Sequence, residues 1–237
     1  MSEAEAKLDT APRTLADRAL DALQDDIVRG VIAPGTRVSE SDLAARYGVS
    51  RGPMREVIRR LESRKLLERK VHVGTRVAAL DPARLAELYY LREALEGMAA
   101  RMAATAMGDD EIAGLYRLLA EHEQQQDLKE DVAYFQREGD LDFHYRVIQG
   151  SHNAALADML IGELYYLIRM SRYQFSGVAK RPLQALKEHR QIVEAIEARD
   201  GELAEMLMRR HISRARRNIE VDNRPAPQNR NLKEERT

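Results

Sequence analysis

Apolar residues recur at helical spacing along most of the chain, interrupted by one short stretch with strand-like runs. Leu15, Ala19, Leu23 and Ile27 share one stripe behind Thr14 and Asp17, which resemble a capping box. Gly30 ends this helix, and Ala33-Pro34-Gly35 turns the chain. Thr36-Arg37-Val38 reads as a short strand, and Ser39 caps a brief second helix that directs Leu43, Ala44 and Tyr47 inward until Gly48 breaks it. Ser50 caps a third helix, with Pro53 in a first turn where its missing N–H costs nothing. Met54, Val57, Ile58 and Leu61 fall at i, i+3, i+4 and i+7, one buried face. Arg51, Arg55 and Arg59 step along a different face. Two β-like runs around a turn near His72-Val73-Gly74 then form a wing.

From Asp81-Pro82, an N-cap followed by proline at the first helical position, to Glu220 the periodicity is helical throughout. The spacing predicts helices over 82–107, 110–126, 131–149, 154–175, 183–198 and 202–220. The first presents Leu85, Leu88, Leu95, Met98, Ala99 and Met102 to a core, and the fourth Leu156, Leu160, Leu164, Leu167 and Ile168. Six such helices packed antiparallel make an all-α bundle. The expected fold is therefore mainly α: a winged helix-turn-helix over 14–80, a helical domain over 81–220, and flexible tails at 1–13 and 221–237.

Charge separates the two domains. Thr36–Leu80 holds 11 Lys/Arg against 5 Asp/Glu, a balance of +6, so the rest of a chain of net charge −1 carries −7. A basic head on an acidic body fits a polyanionic partner for the head alone, although a solvated charged face has the same signature. The chain has no cysteine, which excludes disulfides, thiolate metal sites and cysteine nucleophiles, and suits a reducing cytoplasm. It has neither a membrane-length apolar run nor a secretory pattern at its start.

A helix-turn-helix places its second helix in the major groove of DNA, where residues at the N-terminal end meet base edges. Here that end carries Ser50, Arg51, Gly52 and Arg55. An arginine so placed can fork two hydrogen bonds onto guanine, while Arg59, Arg69, Lys70, His72 and Arg76 suit phosphates or a wing in the minor groove. The plainer alternative is a three-helix bundle with a solvated arginine face. The run PGTRVSESDLAARYGVSRGPMREVIRRLE…LLER…VGTRV resembles the winged-helix domain of the GntR family of bacterial transcription regulators. That resemblance implies operator contacts at Arg51, Arg55 and Gly74, with Ser50 and Gly52 at contacting positions. Ser41 and Gly52-Pro53 depart from common family residues, so no relative's operator sequence carries over.

In the helical domain, Asp140 and His144 lie four apart on one helix face, and His189 and His211 sit on the apolar stripes of two later helices. A single such histidine is ordinarily a hydrogen-bonded core residue. Three of them with a carboxylate raise a shared divalent cation as the alternative. Asp-x3-His, a histidine 45 residues on and another 22 further resembles the FCD effector-binding domain of FadR-type GntR regulators. The resemblance implies Asp140, His144, His189 and His211 as ligands, and small carboxylates or sugar acids as effectors. A thiolate-free N/O set suits Zn²⁺ or Ni²⁺, with Mn²⁺ a further choice. Arg92 and Arg169 are candidates to clamp an effector carboxylate, against a reading as ordinary ion pairs; His122 and His152 fall outside the pattern.

The expected function is a ligand-responsive transcription regulator, a repressor, that binds a pseudo-palindromic operator as a homodimer. The competing function is a metal-dependent enzyme with hydrolytic or oxygen chemistry, against which stands the lack of an obvious general base beside the metal set, with Glu138 and Glu163 the carboxylates left to consider; a third reading keeps the metal as a structural staple only.

Overall fold

The computed structural model describes residues 14–70, 73–79, 82–129, 136, 139, 142–175 and 182–222. The head comprises α1 (Leu15–Val28), β1 (Arg37–Val38), α2 (Glu40–Tyr47), α3 (Arg51–Ser63), β2 (Leu67–Lys70) and β3 (Gly74–Val77). The expected capping box closes α1: the Asp17 amide donates to Thr14 Oγ1 at 3.1 Å, and the Thr14 amide donates to Asp17 Oδ2 at 3.2 Å. Gly48, at φ +67°, ends α2 in the left-handed region and sets the turn into α3. Met54, Val57, Ile58 and Leu61 of α3 are fully buried, as their spacing predicts. The strands form one antiparallel sheet ordered β1-β3-β2, with Arg37 opposite Arg76 and Lys70 opposite Gly74.

The body contains α4 (Pro82–Ala106), α5 (Asp109–Glu123), α6 (Gln126–Lys129), α7 (Phe143–Gly150), α8 (Ala154–Ala157), α9 (Tyr165–Phe175), α10 (Pro182–Glu197) and α11 (Gly201–Asp222). The helix expected over 131–149 is described only as α7, and the one expected over 154–175 contains a π-helical segment, Asp158–Leu164, between α8 and α9. Close approaches fix the packing of α4. A methyl at Gly97 would lie 2.6 Å from Arg209 Cγ of α11, and one at Gly150 would lie 2.6 Å from Met107 Sδ. No helix among the described residues is long and apolar enough to cross a membrane.

Two residues expected inside are exposed. Leu15 is 60% exposed because the buried arc of α1 runs through Leu20, Leu23 and Ile27 with Ala16 beside it. Met98 is 42% exposed because α4 turns Arg92, Glu96, Ala99, Ala100 and Ala103 inward instead. The apolar core continues from the head into the body, with Leu20 and Leu61 in the same cluster as Leu85 and Leu167. At that seam the Arg64 guanidinium, just past α3, lies 4.5 Å from the Tyr166 ring centre on α9 and donates to the buried Gln24 of α1.

Candidate functional site

Two sets of residues carry chemistry, one in the head and one in the body. On α3, Ser50 occupies the cap position without a side-chain capping bond, so its Oγ is not used to close the helix. Gly52 has open space where a side chain would be, and Arg51 is exposed at the first helical position. Arg59 is exposed and makes a 3.8 Å pair with Glu56. Arg55 is held by a partner that helical spacing does not point to, Glu40 of α2. Its Nε donates to both Glu40 oxygens, at 3.2 and 3.3 Å, and its Nη2 donates to Glu40 Oε2 at 3.1 Å. Those hydrogen bonds are the main reason the Glu40 carboxyl lies below its ordinary range. They orient the guanidinium, with no partner for Nη1 among the described residues. Gly74 opens β3 at φ +92°, a conformation glycine adopts without strain, and the Arg37 Nε would lie 3.4 Å from any methyl placed there. His72 lies outside the described residues.

In the body, α7, α10 and α11 bring His144, His189 and His211 together, all three buried, with one ring nitrogen from each within 4.8 Å of the others. The His189 and His211 Nε2 atoms are 3.2 Å apart. Two imidazole nitrogens sharing one Zn²⁺ at about 2.0–2.1 Å from each come to about that separation. Asp142 caps α7, accepting from the His144 amide at 2.9 Å, and Gln136 Oε1 accepts from the Phe143 amide at 2.7 Å. The Phe143 ring stacks on His189 with centres 4.1 Å apart. Asp140, the expected fourth ligand, lies outside the described residues.

Behind two of the histidines stand carboxylates that sequence reasoning missed. The His144 Nδ1 lies 2.6 Å from Glu96 Oε2, and the His211 Nδ1 lies 2.8 Å from Glu188 Oε2. Ionised carboxylates only accept, so both Nδ1 atoms donate, and in the neutral ring that arrangement leaves the lone pair on Nε2, the form in which imidazole binds a metal. Burial pushes the Glu96 carboxyl upward, but the charges of Arg92 and His144 and their hydrogen bonds hold it well below the usual carboxylate range. Burial acts on Glu188 in the same direction and is outweighed by His211, Arg214 and Gln184, which bring it down to about 2. Arg92, buried, donates from Nε to Glu96 Oε1 at 2.7 Å and lies 4.7 Å from the Tyr89 ring centre. It is therefore linked to His144 through a single carboxylate. Arg169, also buried, sits over the Tyr165 ring at 5.8 Å, and the Tyr165 hydroxyl accepts from the Gly139 amide at 2.8 Å.

A sequence signal for Glu96 existed: it lies four residues after Arg92, on the face that also carries Ala99 and Ala103. Glu188 directly precedes His189 and offered no such pattern. Of the two histidines set aside, His122 is buried, while His152 is exposed and 3.0 Å from Glu111. The donor set fits a divalent cation: three buried histidines with a ring nitrogen from each within 4.8 Å of the others, two of the rings held through Nδ1 by carboxylates.

Residues 15–77 match the family of bacterial regulatory proteins called gntR, and residues 87–214 match the FCD domain. The chain is 33% identical over 206 residues to a probable D-xylose utilization operon transcriptional repressor of Paenarthrobacter nicotinovorans, covering 84% of this chain and 86% of that one. It is 30% identical over 204 residues to the HTH-type transcriptional repressor RspR of Escherichia coli, covering 85% and 88%. In fold it is similar to E. coli McbR/YncC, with a TM-score of 0.72 at 19% identity over 90% of this chain and 100% of that one. A putative GntR regulator from Rhodococcus sp. RHA1 gives 0.69 at 24% identity, covering 88% and 99%.

Proposed function

The chain belongs to the GntR family of bacterial transcription regulators and carries an FCD effector-binding domain, and from that premise we propose that it is a metal-centred, dimeric repressor of the FadR type. Its kinship is with DNA-binding regulators, so the alternative of a metal-dependent enzyme falls away. In this reading α3 enters the major groove, Arg51 and the braced Arg55 address base edges, and Ser50, Gly52 and Arg59 approach the backbone. The wing at His72 and Gly74 follows the neighbouring groove. One such head spans half an operator, so two copies read a pseudo-palindrome with half-sites about 34 Å apart or a multiple of that.

The observation that carries the reading is the buried cluster of His144, His189 and His211, one ring nitrogen from each within 4.8 Å of the others, with two of the rings held by Glu96 and Glu188. Asp140 completes the proposed ligand set, and Zn²⁺, Ni²⁺ or Mn²⁺ is the proposed ion. When bound, the ion supplies a positive centre for the carboxylate of a small organic or sugar acid. Arg92 and Arg169 hold the effector's remaining oxygens, Arg92 while still tied to Glu96. The response is a shift between two head arrangements, for which a coupling of about 1–3 kcal/mol is ample.

The test is His189→Ala, with metal content measured in protein purified without chelator and operator binding titrated with and without a panel of organic acids. The variant is expected to lose the ion and the acid response while keeping basal operator binding. Equal metal content in variant and parent would reject the ligand set.

A further inference from the structure

A surface groove between α4 and α11 has no part in the site already described. Its volume is about 650 Å³, inside the range of about 300–1,000 Å³ usual for small-molecule sites. Five arginines and three glutamates line it, a surplus of two positive charges, in a chain whose balance outside Thr36–Leu80 is −7. Apart from Met206 the lining is polar.

The surplus is concentrated on one face of α11. Arg101 pairs with Glu205 and Glu202 at 3.1 and 3.5 Å, and Arg209 pairs with Glu205 at 3.3 Å. Arg210 and Arg217, both exposed, have no hydrogen bond or ion pair among the described residues. Arg214, 50% exposed, gives Nη1 to Glu188 Oε1 at 2.7 Å. Arg210, Ser213, Arg214 and Arg217 fall at i, i+3, i+4 and i+7, and all four line the groove. Like charges four apart repel, so this set weakens the helix unless an anion lies among them. Guanidinium forks match phosphate oxygens, and the serine hydroxyl adds a donor. A phosphoryl group carries about −1.5 to −2 charges at neutral pH, which matches the surplus of the groove. Duplex DNA fits less well, because its backbone would also meet the glutamates that line the same surface.

We propose that this face of α11 is a second ligand site, distinct from the histidine cluster, which takes the phosphoryl group of a small phosphorylated metabolite. Arg210, Arg214 and Arg217 grip the phosphoryl oxygens with Ser213 donating between them, and the glutamates accept from hydroxyls on the rest of the ligand. A relay of two hydrogen bonds ties the site to the histidines. Arg214 donates to Glu188 Oε1, and Glu188 Oε2 lies 2.8 Å from His211 Nδ1. A phosphoryl group that draws Arg214 toward the groove leaves Glu188 held by Gln184, at 3.1 Å, and by His211. Occupancy thus reaches His211 without a shared ligand atom. The relay's part in regulation rests on the metal-centred reading above; the site itself does not.

Isothermal titration of the full-length protein with inorganic phosphate tests the site. One phosphate is expected to bind per chain. Arg210→Ala with Arg217→Ala should weaken binding at least tenfold with the circular dichroism of the parent retained, and His189→Ala should bind as the parent does. Saturating phosphate should shift the imidazole nitrogen-15 resonances of His211 in the parent but not in Arg214→Met, a readout that needs no metal. Absence of binding at millimolar phosphate overturns the site. A loss in His189→Ala that the double variant does not share also overturns it and places the anion at the histidines. If the double variant loses operator affinity without phosphate, and with a shallower salt dependence, the arginines belong to the DNA interface and the proposal falls. Phosphate binding with no shift at His211 overturns the relay. The metal content of the parent, which decides the metal-centred reading, enters none of these results.

Discussion

Replacing Glu96 by alanine separates the stability of the helical domain from its metal affinity. Glu96 and Arg92 are 1% and 2% exposed and 2.7 Å apart, and the second Glu96 oxygen lies 2.6 Å from His144 Nδ1. Removing the carboxylate strands a buried guanidinium, and breaking a buried pair in this way costs about 3–5 kcal/mol. For a chain of this length that is a fall in melting temperature of about 6–20 °C, measured in chelator so that no ion contributes. The same change releases His144 from the group that fixes its tautomer, and loss of such a partner costs about 10–100-fold in metal affinity. The two effects come apart in Arg92→Met with Glu96→Leu, where apolar side chains of similar volume replace both charges. Chelated stability should return to near the parent, because an apolar replacement of a buried ion pair is often neutral or better. Metal affinity, from competition with a chromophoric chelator, should stay low. A parent-like melting temperature for Glu96→Ala in chelator would refute the reasoning about the stranded guanidinium. Unchanged metal affinity would show that His144 does not bind an ion through a braced Nε2.

Other perturbations test the head. Arg51→Ala should lower operator affinity by about 1–3 kcal/mol in a mobility-shift titration, relaxing the preference at one base pair and sparing the fold; unchanged discrimination at every position removes Arg51 as a base reader. Glu40→Gln should cost operator affinity in the parent but nothing further in an Arg55→Ala background, since its role is to orient that arginine; additive losses would place Glu40 elsewhere in the interface. Asp17 has its pKa lowered by the Thr14 hydroxyl and then by Arg60, so it stabilises the fold at pH values above about 3.9 and loses that contribution as pH falls through its lower folded value. Asp17→Asn should therefore be less stable than the parent at neutral pH and converge with it in acid, as read by denaturant titrations at a series of pH values; a constant difference would mean that Asp17 acts through something other than its charge.

Local signals carried most of the fold. The Thr14–Asp17 capping box, the Ser39 cap and the buried face of α3 lie where sequence spacing puts them, because each depends on residues at most seven apart. Periodicity failed where a face is chosen by a distant partner: Leu15 and Met98 share the character of their buried neighbours, yet the arcs of α1 and α4 that meet other elements pass them by. The three histidines could be read from their helical stripes, and their resemblance to a known ligand pattern sharpened that reading. Their pairing with the carboxylates behind them could not, since Glu96 reaches His144 across 48 residues and Glu188 reaches His211 across 23. The Glu40–Arg55 clamp, 15 residues apart across a turn, is hidden for the same reason.

The seam at Arg64 and Tyr166 makes the recognition helix a lever. α3 is anchored at its C-terminal end, where Arg64 rests on the α9 ring and holds Gln24, while Arg51 stands at the far end. Thirteen residues at 1.5 Å each set these ends about 20 Å apart. A tilt of about 5° about the anchored end would carry Arg51 through roughly 1.7 Å, enough to take a base-edge hydrogen bond well outside the usual 2.7–3.2 Å window. If Arg51 reads a base edge as proposed, a small angular motion at the seam is magnified, at the opposite end of one helix, into the difference between a base pair read and a base pair missed.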